Sequence, residues 1–98
     1  MQNRYKVDRE LPPPAHRELV EELLAQLDGE AGEVVLELDD LARLDAPVIR
    51  QLVTILRRVR ERGGDVALSV SKPDLLRTLR ITALDKVFRI DNPSASAA

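Results

Sequence analysis

Apolar residues recur along the chain in two rhythms, a helical stripe and a short β-rich run, and the two alternate. Arg4 to Leu11 is short and mixed, and Pro12-Pro13-Pro14 follows it; prolines cannot donate to a central ladder, so this segment reads as a short edge strand. Leu19, Val20, Leu23, Leu24 and Leu27 then form one apolar stripe, with Glu18, Glu21, Glu22 and Gln26 opposite, which predicts an amphipathic helix ending near Gly29 to Gly32. Glu33 to Leu38 is β-rich and bounded by Gly32 and Asp39-Asp40. Its consecutive valines and leucines predict an inner strand buried on both faces.

From Ala46 to Arg62 the stripe is Ile49, Leu52, Val53, Leu56 and Val59, again a helix. Asp45 is placed to cap it, Pro47 suits its first turn, and Gly63-Gly64 ends it. Val48 and Ile55 are rotated off that stripe, which marks them as candidates for an interface. Asp65 to Val70 predicts the next strand. Ser71-Lys72-Pro73-Asp74 then reads as a capping box ahead of a helix with Leu75, Leu76 and Leu79 toward the core. A last short helix starts between Thr82 and Asp85 and carries Leu84, Val87 and Phe88. Arg89-Ile90-Asp91 follows as a strand candidate, and Asn92 to Ala98 as a frayed tail.

Strand and helix alternate throughout, so the expected fold is α/β: a mainly parallel sheet of four to five strands under about four helices, in one domain over residues 1–91. In such sheets partners meet the carboxyl ends of the strands. Those ends are Asp39 to Pro47 and Ser71 to Pro73.

Composition narrows the chemistry. With no cysteine and one histidine, neither a disulfide framework nor a thiolate or histidine-rich metal site is expected. No apolar run reaches the roughly 18 residues of a membrane span, and the N-terminus lacks a signal peptide's apolar region, so a cytoplasmic location is expected. A net charge of −2, from 17 acidic and 15 basic residues, gives no global attraction to nucleic acid.

Asp39, Asp40 and Asp45 cluster at a strand end, as a magnesium or nucleotide site requires. The plainer reading is that the first two turn the chain while Asp45 caps a helix. Arg57, Arg58, Arg60 and Arg62 form a basic run, but Glu61 interrupts it and only Tyr5 and Phe88 could stack on bases; a solvated helix face explains it. Gly63-Gly64 lacks the surroundings of a phosphate loop. His16 has no triad partner at a spacing that can be argued. No catalytic residue, metal site or cofactor is therefore expected.

The run VVLELDDLARLDAPVIRQLVTILRRVRERGGDVALSVSKPDLLRTLRITALDKVF resembles the STAS domain of bacterial anti-sigma-factor antagonists. That family's pattern is a strand, hydrophobic-Asp-Ser-x-Gly, an amphipathic helix, Gly-Gly, a strand, a short helix and hydrophobic-Asp-hydrophobic-x-Phe. Residues 33–88 carry the likeness; before them, Arg9-Glu10-Leu11-Pro12 keeps only the middle of a Gly-Glu-Leu-Asp element, so the first strands are expected to be shortened. The resemblance implies regulation by protein binding. In the family, a kinase that is also the anti-sigma factor phosphorylates the serine at the start of the second helix and thereby weakens the complex. Here Asp45 matches the aspartate, Ala46 stands at the phosphoserine position, and Val48 replaces the glycine.

The expected partner is an anti-sigma factor or another STAS-containing signalling protein, bound without phosphorylation at Ala46. The expected contact residues are Asp45, Ala46, Pro47, Val48, Gln51, Ile55, Ser71 and Lys72. The alternatives are an adaptor subunit of a lipid-transport ATPase, or a nucleotide- or magnesium-binding protein using Asp39, Asp40 and Asp45.

Overall fold

The computed structural model describes residues 3–26 and 32–92, so the predicted end of the first helix at Leu27 to Ala31 and the tail from Pro93 lie outside the described residues. In chain order the elements are β1 (Asn3–Lys6), α1 (Pro13–Gln26), β2 (Glu33–Glu37), α2 (Ala46–Glu61), β3 (Asp65–Ser69), α3 (Pro73–Ile81), a 3-10 turn (Leu84–Lys86) and β4 (Arg89–Asp91). The strands form one sheet in the order β1-β2-β3-β4, every pairing parallel. The α/β expectation holds. The sheet has four strands, all parallel, and three α-helices with the 3-10 turn stand where about four helices were expected.

Strand order fixes the layering. Each crossover steps one strand in the same direction, so crossovers of one hand place all the helices on one face. Val34, Leu36 and Leu38 of the β2 run and Val66, Leu68 and Val70 of the β3 run accordingly share one buried cluster with Leu23 of α1, Leu52 and Leu56 of α2, and Leu75 and Leu79 of α3. The opposite face carries two cross-strand rows, Arg4-Val35-Ala67-Arg89 and Lys6-Glu37-Ser69-Asp91. Charged residues begin and end both rows. Val35 is only 1% exposed yet belongs outside the helix-side cluster.

Ion pairs cover it. The Arg4 guanidinium meets Glu37 at 3.0 Å, and the Arg89 Nε donates to Glu33 at 2.8 Å from two strands away. Arg89 sits beside Ala67 in the register, and that small side chain leaves room for the bridge to cross β3, the arginine stem lying over apolar surface.

Two helix ends explain their lengths. Gly63 adopts φ +84°, and the amides of Gly63 and Gly64 donate to the carbonyls of Arg60 and Val59 at 3.0 and 3.1 Å. This is a Schellman end, and its left-handed residue is one glycine tolerates best. Ala83 follows α3 with φ 61° in the same region without glycine's freedom.

Three packing expectations need correction. The buried stripe of α2 is Val48, Leu52, Ile55, Leu56 and Val59, with Ile49 and Val53 only partly buried. Val87 is 41% exposed, although Leu84 and Phe88 beside it are buried, and Leu76 is only partly buried. β1 stops at Lys6 instead of running toward Leu11. Among the described residues, no helix is long and apolar enough to cross a membrane.

Candidate partner-binding site at the carboxyl edge of the sheet

Beyond the carboxyl end of β2 the chain needs eight residues to reach α2, and two leucines hold that loop in place. Leu41 and Leu44 are buried in the core, and the Leu41 amide donates to the Leu38 carbonyl at 2.9 Å. With its apolar residues turned inward, the loop leaves Asp45 and Ala46 exposed and Pro47 partly so. Asp45 has extended backbone (φ −99°, ψ 173°), and its Oδ1 accepts the Val48 amide at 3.3 Å while its carbonyl accepts the Ile49 amide at 3.0 Å. The predicted cap is present. Ala46 is the first residue of α2 and Pro47 lies in its first turn, where a missing N–H costs nothing.

Asp39 does something its neighbours do not reveal. Its Oδ1 accepts the Ser71 amide at 2.8 Å and the Lys72 amide at 3.2 Å, and its Oδ2 accepts the Ser71 hydroxyl at 2.7 Å. Burial alone would raise this carboxyl's pKa, but the three hydrogen bonds and the Lys72 charge outweigh it and hold the group below the usual carboxylate range. The Lys72 ammonium in turn donates to the Leu41 carbonyl at 3.2 Å. The loops after β2 and β3 are thus tied together, and Ser71 and Lys72 lie at the same edge as Asp45.

The predicted capping box is not formed. Lys72 is the N-cap of α3 and makes no side-chain cap, because the Ser71 hydroxyl is turned to Asp39.

The three aspartates serve three separate partners. Asp39 holds the Ser71-Lys72 loop, Asp40 pairs with Lys6 at 3.3 Å, and Asp45 caps α2. Among the described residues, no group of three acidic or histidine side chains is placed to hold a metal ion. Each of the three is thus engaged with a different partner rather than turned toward a common point.

Three of the predicted contact residues are also committed internally. Val48 is 4% exposed and Ile55 2%, both packed in the core, because the sheet meets the flank of α2 that carries them. They are not surface residues. Gln51 makes a two-point contact with the backbone of one residue in the loop after β1: its Nε2 donates to the Leu11 carbonyl at 2.6 Å and its Oε1 accepts the Leu11 amide at 3.0 Å. The remainder of the predicted set is the exposed Asp45, Ala46 and Lys72, with Pro47 and Ser71 partly buried.

Beside them, on the face without helices, lies a shallow charged cleft of about 380 Å³ lined by Arg4, Lys6, Glu37, Asp39, Asp40 and Ser69. Sequence reasoning missed Arg4, Lys6 and Glu37 here. The only signal available was alternation within β1 and β2, which says that such residues share a face but not that a cleft forms.

Comparison with solved structures supports the fold. A Thermotoga maritima protein, a candidate anti-sigma factor antagonist, superposes with a TM-score of 0.71 for its NMR structure, at 22% identity over 96% of this chain and 76% of that one; its crystal structure gives 0.64, at 22% identity over 96% and 84%. An anti-sigma-factor antagonist (STAS) domain protein from Planctomyces limnophilus gives 0.66, at 21% identity over 96% and 85%. The family model of the STAS domain matches residues 5–97, nearly the whole chain. With the parallel α/β sheet and the aspartate-capped second helix already in place, that match identifies the chain as a member of the STAS domain family.

Proposed function

We propose that this STAS domain is a regulatory protein-binding module that engages an anti-sigma factor or another STAS-containing signalling protein through the edge formed by Asp45, Ala46, Pro47, Ser71 and Lys72, independently of phosphorylation at position 46. The observation that carries this reading is the α2 start: a capped, exposed helix terminus held outward by Leu41 and Leu44, with a methyl group at the residue matching the family's phosphoserine. Two further features support it. The Asp39 clamp makes the two loops one preorganised surface, which lowers the ordering cost of binding. Position 46 offers no hydroxyl for a kinase to modify.

Ala46→Glu separates docking from folding. A carboxylate in the first turn of α2 is favoured by the helix dipole, so the melting temperature should stay level or rise slightly. A negative charge at the contact surface should nevertheless weaken the complex by tenfold or more, about 1.4 kcal/mol. The partner is first identified by co-purification with tagged protein and mass spectrometry, and affinity is then measured by calorimetry for the wild type and Ala46→Glu. Unchanged affinity means that this edge is not the docking surface. Loss of binding on treatment of wild-type protein with ATP and a cognate kinase would show that the switch operates at another residue.

A further inference from the structure

The helix layer contains a second feature, which shares only Pro47 with the carboxyl-edge site. α1 and α2 lie side by side, and the ridge of α1 carrying Pro13, His16, Arg17 and Val20 faces the ridge of α2 carrying Arg50, Thr54 and Arg58. Between them are two depressions, of about 280 and 170 Å³, that share His16 and Thr54 and so form one trough. Its charges are mostly positive. Among the described residues Arg17, Arg50 and neighbouring Arg57 make no ion pair, and Arg58 meets Glu61 only at a loose 3.9 Å.

On the trough's inner side His16 is partly buried, and neither of its ring nitrogens has a hydrogen-bond partner among the described residues. A buried polar group left this way is uncommon and calls for an explanation.

We infer that the trough between α1 and α2 is a docking site for a short acidic segment of a partner protein. Charge complementarity selects the occupant. Arginines spread along a helix without partners offer guanidinium forks suited to carboxylates, and His16 and Thr54 add polar groups between them. Size agrees. Arg50 and Arg58 are eight residues apart on α2, about 12 Å along the axis, a span covered by about four residues of extended chain.

Nucleic acid fits less well. Glu10 at one end and Glu61 at the other bound the positive stretch, the chain as a whole is acidic with net charge −2, and no phenylalanine, tyrosine or tryptophan lines the trough to stack on bases. The site lies beside the Asp45-Ala46-Pro47 edge and its test needs no anti-sigma factor, so it stands or falls separately from the function proposed above.

Titration of the ¹⁵N-labelled full chain with decaglutamate at low ionic strength tests it. Amide shifts are expected to concentrate at His16, Arg17, Val20, Thr54 and Arg58. Combining Arg50→Glu with Arg58→Glu should weaken binding about tenfold or more, whereas Arg77→Glu with Arg80→Glu, reversing two exposed arginines of α3, should leave it nearly unchanged. If the double variant in α2 loses its native spectrum, Arg58→Glu alone carries the comparison. The inference is overturned if the shifts scatter over the surface, if the α3 pair weakens binding as much as the α2 pair, or if a DNA oligonucleotide of equal charge fills the trough at lower concentration.

Discussion

α2 and α3 start from similar sequences, Asp45-Ala46-Pro47 and Ser71-Lys72-Pro73, and both begin at the carboxyl edge of the sheet, yet they are capped in different ways. α2 is capped from within: the Asp45 carboxylate reaches the amide three residues on. α3 has no side-chain cap of its own, and the loop amides before it, together with the Ser71 hydroxyl, are taken up by Asp39 from the end of β2. A local cap stabilises one helix, whereas a carboxylate from a neighbouring strand joins two loops. The same edge thus combines an outward-facing helix end at Ala46 with a rigid support behind it.

The largest effect should come from removing that support. Asp39→Ala deletes an acceptor shared by three donors, two of them backbone amides, and charge-assisted hydrogen bonds of this kind contribute more than neutral ones. We expect a loss of about 2–3 kcal/mol in urea denaturation, with increased amide exchange at Ser71 and Lys72. A loss no greater than that of a surface substitution would mean that water replaces Asp39 at no cost, and the contrast between the two caps would lose its energetic basis.

Protonation probes the same clamp more gently. The Asp39 carboxyl titrates lower in the folded chain than in the unfolded one, so the unfolded state binds its proton first as pH falls. Its contribution to stability is therefore present above the unfolded value, about 3.9, and is lost as pH drops through the lower folded value. Other carboxylates titrate in this range, so the useful quantity is the difference from Asp39→Asn. Below about pH 4 the wild type should lose stability more steeply than the variant. Parallel curves would show that the hydrogen bonds do not favour the ionised form.

This contrast also marks what could be read from the sequence. Asp45, Pro47 and the paired glycines act within a few residues of their own helix, so composition and spacing were enough to place both ends of α2. The family likeness was legible for a similar reason, since its motifs sit at strand ends and helix starts. Asp39 with Ser71, Gln51 with Leu11 and Arg89 with Glu33 are 32, 40 and 56 residues apart, and only the folded register brings them together. The orientation of α2 was hidden by a different cause. Apolar residues occupy positions 48, 49, 52, 53, 55, 56 and 59, enough for two overlapping stripes. Sheet packing chose the one with Val48 and Ile55 and left Ile49 and Val53 at the flank, so the candidate site lost two residues that periodicity alone had turned outward.

The smallest effect belongs to the local cap. Asp45→Ala removes one acceptor, at 3.3 Å, from a single amide in the first turn of α2. The loss expected from comparable N-caps is about 1 kcal/mol, and Asp45→Asn, which keeps an acceptor oxygen, should recover most of it. Because Asp45 and Asp39 share no hydrogen-bond partner, the double variant Asp45→Ala with Asp39→Ala should lose close to the sum of the single losses, within about 0.5 kcal/mol. Strict additivity would mean that α2 can be remodelled at Ala46 without disturbing the clamp behind it. A larger coupling would mean that the buried Leu41 and Leu44 transmit strain between the two loops, and a charge placed at position 46 would then reach Ser71 and Lys72 as well.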